Sequence, residues 1–579
     1  MNAFRLAALA LAVALATLST PRALRAQSLA SVRIQALIAG LDFDDARRAL
    51  AAADADDPGI ALERARLAIY EMDCDGAAAT LGRSDVQKTD DGETLNDIAH
   101  GCQRVTAALA SSVDKDRAIE VHWQDEHDAA LAPLLFDTVA KARESLTRDL
   151  GVDWPKPTRI VVVRDLLSLS AMTGLPYSSA QTTGTVAVAK WGRVTLLSPR
   201  ASQHGYPWRD TVAHELTHLA VTRATRDLAP LWLQEGVAKR EEVRWRPPGP
   251  FDDRPPVDAV AQRGFEIGLA LPLDRLGPSI AMLPSPDAAM VAFAEVSSFV
   301  RFYLEAERGA QGDRALAMLL AELRDGKGPD KALLAASGAD LHGWDGRWRA
   351  YVLSRPKTAL PGMLAGKDAH RAAPDANEPG AWRDLRERTR LAELLLERGH
   401  PHEARTELGP SEPGHVLGLH GESADEALAD PSLRWLRASA LEADGHADDA
   451  MPLLSDPHDV ATSFGPWWAI RGRLLRARAL ASAADGDDAA GSFREAIAAD
   501  PLDAEVACEA AGESAVPNAP NAPAPIPAPT ALPAPGATGG PTAGAAVPPH
   551  APTAAPTDPP TKALCDAARA RAEPRFGGD

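Results

Sequence analysis

The sequence predicts an α+β chain, predominantly helical, in which a mixed domain lies between two helical, repeat-like regions. Three observations lead there. Apolar residues recur at three- and four-residue spacing on both sides of the centre. The centre carries a β-branched run at 159–163 and a hairpin whose second strand is 193–197, both read as strands. These strands precede a series of helices instead of alternating with them, which is the α+β order. A chain of 579 residues is also too long for one core, so several domains are expected.

Residues 1–26 read as a secretory signal peptide. Arg5 supplies a positive start, 6–18 is an almost purely apolar run, and small residues follow toward Ala26. Leu24 stands where a small residue is preferred before cleavage, and no Cys follows the run to take a lipid anchor. The run is too short for a membrane span, and no other stretch is long enough. The expectation is export, to a periplasm or out of the cell. Losing Arg5, Arg22 and Arg25 with the signal takes the net charge from −19 to −22. So acidic a chain is ill suited to phosphate contact, which argues against nucleic acid as a partner. Four cysteines in an exported chain imply two disulfides, and their positions propose Cys74 with Cys102 and Cys508 with Cys565. None has the C-x-x-C spacing of a cysteine zinc site.

Residues 27–115 form the first repeat-like region. Ile34, Leu37, Ile38 and Leu41, then Ala46, Ala49 and Leu50, give one helix-turn-helix pair. Ala61, Ala65, Leu67 and Ala68, then Ala77, Ala78 and Leu81, give a second. Residues 116–356 mix periods. A helix is expected over 129–150 and a buried strand over 159–163. A hairpin follows, its strands at 185–189 and 193–197 flanking Trp191-Gly192. Helices carrying His214 and Glu235 come next, then helices over 292–308, 313–323 and 344–353.

Residues 378–511 are again helical, in frames about forty residues apart. Leu391, Ala392, Leu394 and Leu395 match Leu436, Ala438, Ala440 and Leu441. The stretch from Leu475 through Phe493 to Pro501 best fits a tetratricopeptide unit. Residues 512–560 hold 15 of the 47 prolines and no aromatic residue, so they cannot bury a core and read as an extended spacer. Cys508 and Cys565 bracket this segment and would tie it at its base. Residues 561–579 are expected to form a short helix.

The chemistry concentrates in His214-Glu215-Leu216-Thr217-His218, followed by Trp232-Leu233-Gln234-Glu235-Gly236. Two histidines four apart share one helix face, so both imidazoles can reach one ion. Glu215 points toward the ion's open position and can take a proton from water there, while Glu235 offers a third ligand. This is the pattern of a zinc hydrolase. His122 and His127 lack helical ligand spacing, and His400 and His402 fall in a turn, so all four read as solvated.

The segment 214–236 resembles the gluzincin metallopeptidases, where H-E-x-x-H is followed by a Glu ligand in a W-L-x-E-G setting. More broadly, 159–351 resembles the bacterial peptidase-MA-like domains. The resemblance implies a zincin-like metallopeptidase domain, with Zn2+ held by His214, His218 and Glu235 and with Glu215 as general base and acid. It also implies a peptide or protein substrate, laid along the edge of the 185–189 strand. In the aminopeptidase branch that strand ends in G-A-M-E-N before Trp-Gly, and its Glu grips the substrate's amine. With Trp191-Gly192 as anchor, Ala189 stands at that Glu, so an endopeptidase is expected. The family's oxyanion-steadying Tyr would fall where Phe293 stands, leaving Tyr206, Tyr303 and His204 as substitutes.

The leading expectation is therefore an exported zinc endopeptidase whose helical repeats recruit a protein partner. The alternative is a non-catalytic scaffold that binds zinc or peptide and acts through those repeats. Hydrolysis of a small non-peptide substrate is a third reading, since fold does not fix substrate.

Overall fold

The strands at the centre of the sheet have a local reason in the sequence. The computed structural model describes residues 28–201, 206–248, 252, 256–307 and 314–357. Of the C-terminal part it describes 388–389, 391–396, 398–409, 415–417, 419–420, 424, 428, 431–454, 465–479, 484–499, 504–512, 562 and 565. The expected signal peptide and nearly all of 513–579 lie outside the described residues. The chain divides into two units, one reaching to residue 201 and resuming at 208, the other covering the C-terminal part together with 202–207.

The first unit opens with five helices: α1 (Leu29–Ala39), α2 (Phe43–Ala52), α3 (Pro58–Tyr70), α4 (Cys74–Leu81) and α5 (Gly92–Thr106). Asp57 and Asp73 cap α3 and α4 by accepting the backbone N–H groups of Gly59 and Gly76. The sheet follows, from β1 (Ala110–Asp114) and β2 (Ile119–Trp123), then α6 (Ala132–Leu150), β3 (Thr158–Val163), α7 (Leu166–Thr173), α8 (Tyr177–Thr183), β4 (Ala187–Lys190) and β5 (Arg193–Leu197). Strand order is β1-β2-β3-β5-β4. β2, β3 and β5 run parallel in the middle, and antiparallel β1 and β4 form the edges. The continuous apolar run of β3, Ile160 to Val163, is what a strand covered on both faces requires.

The expected hairpin is present. Trp191 and Gly192 both have positive φ, 56° and 69°, the two-residue turn that matches the twist of paired strands. The β1–β2 hairpin was not expected from sequence. It begins ahead of the boundary read at residue 116 and joins the same sheet, Val121 of β2 pairing with Ile160 of β3.

One face of the sheet is packed by Val161, Val163 and Leu197 against Cys74, Cys102, Val105, Leu169 and Met172. The N-terminal helices are thus a layer of this unit. The opposite face meets α6 and α9 (Trp208–Thr225), which also pack on each other. Beyond come α10 (Leu231–Glu241), α11 (Val257–Glu266), α12 (Pro286–Glu307), α13 (Ala315–Arg324), α14 (Pro329–Ser337) and α15 (Leu341–Ser354). Both expected disulfides are formed, Cys74–Cys102 with Cα atoms 5.7 Å apart and Cys508–Cys565 with Cα atoms 4.6 Å apart.

The second unit contains α16 (Pro401–Leu408), α17 (Pro431–Ala443), α18 (Ala447–Ala450), α19 (Gly465–Ala479), α20 (Ala484–Ala499) and α21 (Ala504–Ala510). In α17, Leu436, Ala438, Ala440 and Leu441 are buried, as their spacing predicts. Gly472 lets α19 approach the Phe493 ring of α20. A short hairpin, β6 (His415–Val416) with β7 (Leu419–His420), interrupts the region read as wholly helical. Among the described residues no helix is long and apolar enough to cross a membrane.

Candidate metal centre

α9 presents His214 and His218 one turn apart, their rings edge to face with centroids 4.9 Å apart. Val212, Leu216 and Ala220 are fully buried, which fixes the rotation of the helix and turns the histidines toward α10. α10 brings the carboxylate. Glu235 Oε2 lies 3.4 Å from His214 Nε2 and 3.6 Å from His218 Nε2.

The W-L-x-E-G residues explain how α10 gets there. Trp232 is buried against Phe299 of α12, centroids 5.2 Å apart. A Cβ on Gly236 would lie 2.6 Å from the Val296 carbonyl oxygen and 2.5 Å from Val300 Cγ2. Only glycine lets α10 lie this close to α12.

Glu215 is buried and points the other way, toward β4. Its Oε2 accepts the Ala189 backbone N–H at 2.5 Å. Along β4 the Leu197 N–H donates to the Val186 carbonyl, and Ala187 and Ala189 register with Leu196 and Val194. By the antiparallel alternation, the backbone groups of Ala187 and Ala189 face outward along the edge. Glu215 therefore sits between the two histidines and an open sheet edge. Ligand atoms of His214, Glu215 and His218 all lie within 4.8 Å of one another.

The outer contacts set the tautomers. Glu242 Oε2 lies 3.1 Å from His214 Nδ1, and the same carboxylate pairs with Lys239. Gln234 Oε1 lies 3.4 Å from His218 Nδ1. With each Nδ1 donating outward, both Nε2 atoms face Glu235. Glu242 and Gln234 escaped the motif reading. The spacing from Glu235 to Glu242, seven residues and so two turns along one face, was the available signal.

Electrostatics follow the packing. Burial pushes the Glu215 carboxyl above its usual range, against the pull of His218 and His214. Burial acts the same way on Glu235 and Glu242, but the facing histidines and Lys239 outweigh it and hold both below the usual range. For His214 burial is outweighed by its hydrogen bonds to Glu235 and Glu242, which raise it to about 10.

These residues fit a zinc ion. Tetrahedral ligand atoms at zinc-nitrogen and zinc-oxygen bond lengths stand about 3.3 Å apart. The Nε2 and Oε2 separations of 3.4 and 3.6 Å match that edge. Two imidazoles and a carboxylate are a donor set zinc accepts, with a fourth side left open.

Of the oxyanion candidates, Tyr303 stands away from these residues. Phe293 places its ring edge to face with His214, centroids 6.3 Å apart. Tyr303 lies ten residues along α12, about 15 Å away by helical rise. It is buried against Trp344, and burial pushes its hydroxyl up to about 12. His204 lies outside the described residues. Three of the other four histidines weighed from the sequence find local partners, His122 with Glu120, His127 with Asp125 and His402 with Asp444.

Residues 138–354 match the family model described as Peptidase MA superfamily. This stretch, with its H-E-x-x-H group, is a Peptidase MA superfamily domain. The match begins inside α6, so α5, β1 and β2 lie outside it although both strands belong to the sheet. No curated protein and no solved structure matches the chain.

Proposed function

We propose that this chain is an exported zinc metallopeptidase, an endopeptidase in which His214, His218 and Glu235 hold the ion and Glu215 is the general base. The observation that carries this reading is the convergence of three ligand atoms at 3.4 and 3.6 Å beside a buried carboxylate. Bound zinc would supply Lewis-acid polarisation of a carbonyl and lower the pKa of water toward ~7. Glu215 takes a proton from the attacking water and returns it to the leaving amine. The Ala189 N–H holds the Glu215 carboxylate in line. Glu242 and Gln234 orient the two imidazoles.

With the Ala189 N–H taken by Glu215, the outward-facing groups of Ala187 and the Ala189 carbonyl offer an extended peptide a strand to pair with. Ala189, with no carboxylate to grip a free amine, supports internal cleavage. The C-terminal helices, read as tetratricopeptide-like repeats, recruit a protein substrate or partner. A disulfide in each unit supports export to an oxidising compartment. One observation favours the alternative of a non-catalytic zinc- or peptide-binding scaffold: an apolar ring, Phe293, borders His214 on the side where a donor is expected.

A mixture of unstructured peptides incubated with wild type and with Glu215→Gln, cleavage read by mass spectrometry, separates the two. Cleavage within peptides by wild type alone is expected. A wild type that retains zinc and cleaves nothing leaves the scaffold.

A further inference from the structure

The turn that ends the candidate substrate edge is not free. Arg193, the first residue of β5, is fully buried. Its partner across the turn is Lys190 of β4. Arg193 Nη1 donates to the Ile69 carbonyl at 2.6 Å, in the last turn of α3, where the helix dipole favours a cation. Nη2 lies 3.8 Å from Cys102 Sγ, in the disulfide that joins α4 to α5. Trp191 sets its ring edge to face with Tyr70, which does the same with Phe43. A Cβ on Gly192 would meet both rings at 3.1 Å. The same helices also hold the metal helix, since Arg223 of α9 pairs with Asp42 and donates to the Gly40 carbonyl at 3.4 Å.

We propose that Arg193 is a positioning residue that locks the β4–β5 turn onto the N-terminal helices, so that these helices hold the substrate edge in register with the metal helix. The inference rests on the peptidase reading for its kinetic consequence but not for its structural one. An edge strand has neighbours on one side only, and β4 is four residues long. Its last residues depend on whatever fixes the turn. Here that is a buried guanidinium whose hydrogen bond reaches a segment more than one hundred residues earlier. The bond from Ala189 to Glu215 lies two residues before the turn, so a loosened turn frees the edge first. Residues 28–106 then belong to the catalytic unit, in contrast to a detachable recruiting module.

The test compares full-length wild type with Arg193→Met, Arg193→Lys and Trp191→Ala. Amide hydrogen exchange of a fragment spanning 187–190 reads the edge directly. Zinc content, and kcat and KM on one fluorogenic peptide that wild type cleaves, read the consequence. Arg193→Met should speed exchange at 187–190 and raise KM about tenfold, with kcat changed less than about threefold and zinc retained. Arg193→Lys, which keeps the charge and one donor, should recover part of the loss. If Arg193→Met does not fold, Trp191→Ala at the partly exposed end of the turn carries the same expectation. Unchanged exchange at 187–190 in a folded variant overturns the proposal, as does exchange that rises equally across the unit. If wild type cleaves no peptide the peptidase reading falls, while the exchange result still decides the role of Arg193.

Discussion

His214 uses both ring nitrogens, with Nε2 facing Glu235 and Nδ1 lying 3.1 Å from Glu242. A ligand imidazole held this way keeps one tautomer, and losing the outer carboxylate commonly weakens metal binding by about 10–100-fold. Glu242→Gln should therefore bind zinc at least about tenfold more weakly in competition with a chelator, in a protein that melts normally. Equal zinc affinity would show that Glu242 serves only Lys239. Elsewhere, Glu295 on α12 is fully buried, accepts the Leu271 N–H and has no partner for Oε1. Burial pushes its carboxyl up to about 8 from an ordinary 4.5. The folded state thus keeps a proton that the unfolded chain releases, so this stabilisation is complete below pH 4.5 and is lost as pH rises through 8. In thermal melts, Glu295→Gln should lose less stability than wild type between pH 5 and pH 8. Parallel curves would place a charged Glu295 in the fold.

At the scale of elements, α10 depends on a missing side chain. A Cβ on Gly236 would meet a backbone oxygen that cannot turn aside. Gly236→Ala should cost about 1–3 kcal/mol and weaken zinc binding as well, because Glu235 is the adjacent residue. A normal melting temperature with full zinc affinity would mean the helices part without cost. The same contrast governs what the sequence revealed. β3 was legible because both faces are covered, which leaves the continuous β-branched run from Ile160 to Val163, and β5 because it pairs across the Trp191-Gly192 turn. β1 was not, since none of its residues is fully buried and Ser111 and Ser112 dilute its pattern. β2 carries only Ile119, Val121 and Trp123 as buried residues, too short an alternation to stand out. His214, Glu215, His218 and Glu235 stood out because the proposed chemistry needs fixed spacing on helices, and the structure brings Glu235 within 3.6 Å of both histidines. The Ala189 contact was hidden because a backbone N–H leaves no mark in a sequence. Arg193 left no signal in the sequence beyond its place in the 193–197 strand, since its partner is a carbonyl far back in the chain.

Over the whole molecule, the N-terminal helices that read as a separate repeat region form one layer of the first unit, and the Cys74–Cys102 bond lies inside that layer. It closes a loop of 28 residues. In the chain-entropy account such a loop contributes about 3–4 kcal/mol. The double variant Cys74→Ser with Cys102→Ser should unfold at correspondingly lower denaturant, and unchanged stability would place the N-terminal layer outside the cooperative unit. The proposed three-ligand site is assembled where α9 meets α10. Its most direct test is the zinc content of wild type, His218→Ala and Glu235→Ala after dialysis against a weak chelator. Wild type should retain about one zinc per chain, His218→Ala none, and Glu235→Ala a small fraction. Zinc absent from wild type, or retained in full by Glu235→Ala, would contradict the site.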